Sequence, residues 1–488
     1  MTHELLADAT HPHAADYSNR RWLALIVLCL GVLMIVLDTT IVNVALPSIK
    51  NDLKFSETSL AWVVNAYMLT FGGFLLLGGR LGDLYGHRRF FLLGIALFTL
   101  ASLACGIANS QIALVTARAV QGLGGAVVTA VALSLIMDLF TEPADRAKAM
   151  GVYGFVCAGG GSLGAMLGGV LTGSLSWHWV FLVNLPIGLA VIALSLKLLP
   201  GLHTPPASRH LDFGGAFTIT TSLMLAVYAI VNGSEAGWTS PRTLGLLAIA
   251  VALLLSFLWI ETRVRAPLMP LRLFRLRNVA VANIVGVLWA AAMFAWFFLS
   301  ALYMQLVLGY GPLQIGLAFL PANLIMAAFS LGLSAKLVNR FGLRGPAAAG
   351  LLLAALGLLL FAHAPVDGRF VVDVLPGMVL LGLGAGIALN PVLLAAMSDV
   401  APSESGLASG MVNTSFMMGG ALGLAILASM AAAHTQNLQA SSGTAAALNG
   451  GYQLAFLAGA IFAAMGAAIT ALFLRSKAAD VVAQTGHG

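Results

Sequence analysis

Charged residues are scarce in this 488-residue chain: Asp, Glu, Lys and Arg together make up 9% of it, against about a quarter in a soluble domain. Cysteine is scarcer still, and the three present, Cys29, Cys105 and Cys157, all fall inside apolar runs. An odd, scattered set excludes a disulfide framework, and these cysteines read as small buried hydrophobes. There is no GxxxxGK[ST] phosphate cradle, no HExxH and no cysteine pair, so ATP-driven export, metal chemistry and an enzymatic role find no support. The ten histidines are dispersed: His87 and His178 at loops, and His3, His11 and His13 in a polar start expected to be a solvated tail. That start, Met1 to Asn19, shows no short apolar core with a small-residue cleavage site, so no cleaved signal peptide is expected.

What is abundant is apolar sequence, 60% of the chain, with a mean hydropathy of +0.96. A helix needs about 20 apolar residues to cross a hydrocarbon core of ~30 Å. The candidate runs are 22–46, 57–79, 90–108, 112–137, 148–173, 179–199, 212–232, 243–261, 278–304, 312–334, 346–363, 372–396, 405–431 and 451–474, fourteen in all. An even number puts both ends of the chain on one side. Of the 24 Lys and Arg, nineteen fall on that side, from Arg20 and Arg21 to Arg475 and Lys477. Four, Lys50, Lys54, Arg242 and Arg369, fall on the other, and Arg118 lies inside a span. This bias places both termini in the cytoplasm. The net charge of +6 is therefore a topology signal rather than a footprint for nucleic acid. Residues 262–277 alternate arginines with Leu, Met and Phe and are expected to lie in the cytoplasmic interface before span 9.

The chain also repeats itself. GRLGDLYGHRR after span 2 (Gly79 to Arg89) aligns with AKLVNRFGLRG after span 10 (Ala335 to Gly345), pairing Gly86 with Gly342. GLGGAV from Gly122 matches GLGAGI from Gly382, and the spacing of Gly160, Gly161 and Gly164 recurs at Gly419, Gly420 and Gly423. Three matches in one order predict an all-α polytopic membrane protein built from two six-helix repeats, spans 1–6 and 9–14, with spans 7–8 inserted. The expected divisions are a tail at 1–20, a first bundle at 21–199, a linker with two inserted helices at 200–277, a second bundle at 278–474 and a tail at 475–488. Repeats of this kind mark secondary transporters, whose site lies between rocking halves.

Two charges lie deep. Asp38 is about sixteen residues into span 1, about 24 Å from the cytoplasmic edge at ~1.5 Å per residue, and Arg118 enters span 4 to a comparable depth. An intramembrane charge costs about 2.5–3.5 kcal/mol even on insertion scales and persists where it is paired or functional. No Asp or Glu lies deep in spans 9–14, which suits neutral, zwitterionic or singly charged amphiphiles better than dications. The polar residues Asn43, Asn65, Tyr67, Gln121, Tyr303, Gln305, Asn390 and Asn413 within the spans are the candidates for a sparse polar lining of a substrate cavity; interhelical hydrogen bonding is the competing reading for each.

These motifs resemble the major facilitator superfamily, in its 14-span branch of drug:proton antiporters. The resemblance runs from span 1 to span 14. It is carried by LDTTIVNVALPSI from Leu37, Gly79, Leu81, Gly82, Asp83, Gly86, Arg88 and Arg89 after span 2, and Arg118 followed by QGLGG. It continues with SWHWVFLVNLPIG from Ser176, QLVLGYGPLQIGLAFLP from Gln305 and SGLASGMVNTSFMMGGALG from Ser405. His178 stands where the branch usually has an arginine. Ala165 stands where its span-5 signature usually has a proline, so Gly160, Gly164, Gly168 and Gly169 keep a close-packing face while a proline-fixed bend is lost.

The resemblance implies proton-driven efflux of amphiphilic drugs or toxic metabolites from the inner membrane by alternating access, with protons as the energy source and no cofactor. Asp38 would carry the proton and Arg118 modulate it, burial favouring the neutral carboxyl and the guanidinium the charged one. Gly79, Gly82, Asp83, Gly86, Arg88 and Arg89 would form a cytoplasmic gate. The expected partners are small amphiphilic substrates, protons and membrane lipid, with a periplasmic adaptor as a candidate, and the expected unit is a monomer. Dedicated export of one endogenous metabolite, antibiotic or siderophore, and a non-transporting membrane sensor on the same scaffold, are the alternatives.

Overall fold

The computed structural model describes residues 12–140, 142–199, 212–264, 267–329, 333–397, 400, 405–439 and 443–475. Among them there is no strand, as a lipid-exposed chain requires, since only a helix satisfies its own backbone within one segment. A long helix stands at each of the fourteen expected runs. They are α1 (Pro12–Leu53), α2 (Trp62–Tyr85), α3 (His87–Gly106), α4 (Gln111–Leu139), α5 (Pro143–Ser174), α6 (Asn184–Leu198) and α7 (Phe213–Ala236). The chain continues with α8 (Pro241–Arg263), α9 (Arg277–Leu302), α10 (Pro312–Ala328), α11 (Arg344–Ala362), α12 (Leu375–Met397), α13 (Ser405–Gln439) and α14 (Thr444–Phe473). Among the described residues twelve helices are long and apolar enough to cross a bilayer, and the apolar stretches Leu163–Ser174 of α5 and Pro312–Ala328 are shorter. The protein is thus a multi-pass membrane protein.

Local chemistry sets the helix ends. Ser110 accepts the Ala113 N–H and Ser240 the Thr243 N–H, each capping a helix start; Pro241 and Pro312 occupy first-turn positions where no N–H is needed. Gln111 Nε2 donates to the Leu53 and Lys54 carbonyls at 3.0 and 2.9 Å, covering the end of α1.

Two expectations are corrected here. The stretch 12–20, read as tail, is helical and opens α1 at Pro12, because proline at the first position starts a helix as readily as it breaks one; residues 1–11 lie outside the described ones. Residues 79–85, read as loop, form the last turns of α2, and the chain reverses at Gly86 alone, with φ +99°. Its repeat partner Gly342 has φ +72°, so both halves break this helix with a glycine in a conformation that side chains disfavour.

The repeat is visible in the packing. Within the first six helices α1 packs on α5 and α6, α4 on α2 and α3, and α3 on α6. Each contact recurs eight helices later: α9 on α13 and α14, α12 on α10 and α11, and α11 on α14. The glycines do the same work in both halves. Gly122 meets α2 and Gly124 meets α3, as Gly382 meets α10 and Gly384 meets α11. Between halves, α5 packs on α10 and α2 on α13, with a smaller α1–α9 contact; the two seams exchange under the same pseudo-two-fold. The inserted pair breaks that symmetry. Helix α7 packs on α2 and α13 along one seam, and α8 packs on α7, leaving only 17% of its span buried.

Residues 267–276 pack two of their leucines onto helices. Leu268 and Leu273 are 6% and 3% exposed, Leu268 packed with Leu77 of α2 and Ala216 of α7, and Leu273 with Met411 of α13. The apolar side of this stretch thus meets the α2–α13 seam.

Candidate functional site

Asp38 is 0% exposed and Arg118 1%. Helix α4 brings the arginine inward because Gly122, one turn beyond it, presses on the Tyr67 carbonyl, and a Cβ on Gly124 would lie 2.7 Å from Phe98 N. Only glycines let α4 sink this far between α2 and α3.

Arg118 Nη1 donates to Asp38 Oδ2 at 2.5 Å and to Gln121 Oε1 at 2.6 Å, and Nε donates to the Val63 carbonyl at 2.9 Å. Asp38 Oδ1 accepts from Gln121 Nε2 at 2.7 Å and from Asn184 Nδ2 at 3.0 Å. Ser102 Oγ accepts from the same two amides at 2.8 and 3.4 Å. The guanidinium carbon lies 4.4 Å above the Tyr67 ring and 5.7 Å from that of Phe181. The buried carboxylate thus accepts three hydrogen bonds, one of them charge-assisted, in a site walled by aromatic faces. Asn184 Oδ1 is buried and unpaired beside it.

The gate residues occupy the end carrying the arginine-rich loops. Gly82 lets α2 pass α4, where an added Cβ would lie 2.8 Å from Val131; Gly79 has ordinary room, 3.6 Å from Ala130. Arg88 Nη2 donates to the Leu196 carbonyl at 2.7 Å, covering the last turn of α6, while Arg89 is exposed. The side chain of Asp83 lies outside the described residues. His87, absent from the expected set, pairs with Asp138 at 2.9 Å and joins α3 to α4. On α5, Gly160 faces Val36, and a Cβ added at Gly164 would lie 2.9 Å from the Leu37 carbonyl and one at Gly168 2.7 Å from the Ile41 carbonyl, all on α1. Gly169 turns instead to α10, where a Cβ would lie 2.9 Å from the Pro312 carbonyl. With alanine at position 165, α5 runs unbroken from Pro143 to Ser174.

A family model described as Major Facilitator Superfamily matches residues 28–424. The chain belongs to that superfamily. Its curated relatives within the superfamily include the puromycin resistance protein pur8 of Streptomyces alboniger, 39% identical over 470 residues, covering 94% of this chain and 93% of the relative. The cephamycin export protein CmcT of Amycolatopsis lactamdurans is 40% identical, with 90% of each chain covered. Among solved structures, the nucleoside transporter NupG superposes with a TM-score of 0.66 at 13% identity, covering 93% of this chain and all of that one; that likeness shows the shared fold.

Of the eight polar residues expected to line a superfamily substrate cavity, the structure brings only Tyr67 and Gln121 to Asp38. Asn43 donates to the Thr39 carbonyl of its own helix and Tyr303 to the Pro365 carbonyl. Asn65 is fully buried with both amide atoms unpaired, and Gln305 is half-buried with Oε1 unpaired. Asn390 is half-buried and Asn413 exposed. Ser102 and Asn184 are the members of the cluster that sequence reasoning missed. The one available signal was Asn184 in the NLPIG motif, since a serine or asparagine in a span is commonplace.

Proposed function

We propose that the protein is a proton-driven exporter of amphiphilic drugs or toxic metabolites in the inner membrane, with both termini cytoplasmic. The observation that carries the coupling reading is the Asp38 cluster: a carboxylate with no exposure, tied to Arg118, Gln121 and Asn184. Burial there penalises the charge while three donors favour it. In this reading, coupling comes from a change in the donors between two packings of the helices. Helices α1, α2, α3, α4 and α6 all contribute to the cluster, so relative motion among them alters the donor set directly. Asn184 supplies the complementary state: turning its amide presents the unpaired Oδ1 as an acceptor for a protonated Asp38.

Alternating access follows from the two symmetric seams. The α5–α10 contact, near the start of α10, closes the end opposite the arginine-rich loops, the external end in this orientation. Rocking about the pseudo-two-fold opens it. The names of the relatives, a resistance protein and an export protein, support outward drug movement rather than enzymatic turnover. No charged residue deep in α9–α14 demands a dication, so the substrates are neutral, zwitterionic or singly charged amphiphiles, and the unit is a monomer with a periplasmic adaptor as a candidate partner. The test is substrate-induced proton movement in inverted vesicles. The unchanged protein should alkalinise the acidic lumen on adding substrate, and Asp38→Asn, inserted at equal level, should not. Retained exchange in Asp38→Asn removes Asp38 from the coupling.

A second reading, dedicated export of one compound, is favoured by relatives named for single products, cephamycin and tetracenomycin C. A resistance spectrum confined to one chemical class would select it.

A further inference from the structure

Two buried acids at the base of the inserted pair have no part in the transport reading. Asp212 caps α7, its Oδ1 accepting the Gly215 N–H at 2.7 Å. Glu261, in the last turn of α8, accepts the Met269 N–H on Oε2 at 3.0 Å. Both residues are 4% exposed. The second oxygen of each, Asp212 Oδ2 and Glu261 Oε1, is buried and without a hydrogen-bond donor. These two oxygens converge over Gly215: a Cβ there would lie 3.0 Å from Glu261 Oε1 and closer still to Asp212 Oδ2. The two carboxyls thus face the same point on the first turn of α7.

Among the described residues no ion pair reaches either acid. Arg263, on the same helix as Glu261, turns away to lie 5.5 Å over the Trp259 ring. Arg80, three residues beyond Leu77 on α2, is half-buried and makes no ion pair with either acid. Residues 267–276 present Leu268 and Met269, with Arg272 and Arg275 exposed, and α13 presents Leu407, Met411 and Met418. Two carboxylates that converge away from water repel one another, and one proton between them turns that repulsion into a hydrogen bond.

The Met269 N–H bond makes the pair an anchor for the strap 267–276. From that anchor Leu268 reaches Leu77 on α2, and Leu273 reaches Met411 on α13, so the strap bridges the two halves across one seam. We infer that Asp212 and Glu261 form a second proton-binding site, separate from Asp38, whose single shared proton keeps this strap seated across the α2–α13 seam. Loss of the proton leaves two facing anions; Glu261 swings out, its hold on Met269 is lost, and the strap lifts.

The test uses the full-length protein in lipid, with Cys29, Cys105 and Cys157 replaced by alanine and spin labels at Phe274→Cys in the strap and Phe217→Cys on the exposed side of α7. One short distance is expected at about pH 6, and a longer population should rise at least about tenfold by about pH 9, as expected for a titrating pair. Glu261→Gln, which replaces the shared proton with an amide donor, should hold the short distance at both pH values, and Asp212→Asn should do the same. Infrared difference spectra of the parent protein should show a protonated carboxyl band that Glu261→Gln removes. A distance that ignores pH, a Glu261→Gln protein that titrates like its parent, or a shift driven by sodium at constant pH would overturn the inference. No substrate or gradient is used, so failure here is distinct from failure of the Asp38 reading.

Discussion

Gly316→Ala should trap the transporter away from the state seen here. A Cβ on Gly316 of α10 would lie 2.6 Å from the Ala165 carbonyl oxygen of α5. Close C···O contacts fall at ~3.3 Å, so the helices must part by roughly 0.7 Å. The obstacle is backbone on both sides, and no rotamer relieves it. Overpacking of this size costs about 1–3 kcal/mol. Because α5 and α10 belong to different halves, the cost falls only on the conformation in which the seam is closed. That free energy converts to a shift of roughly 5- to 150-fold toward the opposite conformation. Asn323, 4% exposed and donating to the Gly161 carbonyl at 3.4 Å, sits in the same seam. In a background without native cysteines, Asn323→Cys should react with an impermeant thiol reagent faster by about that factor when Gly316→Ala is added. Gly168→Ala is the control. It meets the Ile41 carbonyl at 2.7 Å but within one half, so it should lower stability without changing the labelling. Equal acceleration in both, or none in Gly316→Ala, would refute rigid-body opening of this seam.

Other consequences follow from the same geometry. Asn184→Ala removes a 3.0 Å bond to the buried carboxylate, worth about 1.5–3 kcal/mol for a charged acceptor, and should slow coupled exchange by about ten- to a hundredfold or more in vesicles. Asn43→Ala loses only an own-helix bond and should stay within about threefold of the parent. Gly86→Ala puts a side chain at φ +99° and should cost about 1–2 kcal/mol, read as a lower melting temperature in detergent. Trp177→Phe breaks the 2.8 Å indole bond to Asp52 and should lower that temperature by a similar margin without changing the substrate range.

The spans were legible because a run of apolar residues is a local property, and lipid leaves helix as the answer. Asp38 and Arg118 were legible because an intramembrane charge is costly enough to be informative alone. The loop at 79–85 was misread for a related reason: glycine and arginine suggest a turn locally, yet close packing on α4 keeps the helix intact until Gly86. Likewise 267–276 has the pattern of an interfacial segment, and only the nearby α2–α13 seam makes it a strap.

The residues alone thus determined where the apolar helices fall, the duplication and the two charges that must find partners, since each follows from hydropathy, spacing or the cost of a buried charge. The tertiary structure decided which partners those are. Ser102, Asn184 and Gln121 are ordinary span residues until folding brings three helices around one carboxylate, and Asp212 and Glu261 are 49 positions apart in sequence until α7 and α8 close into a hairpin. Contacts of that separation depend on how helices pack, which no local pattern encodes.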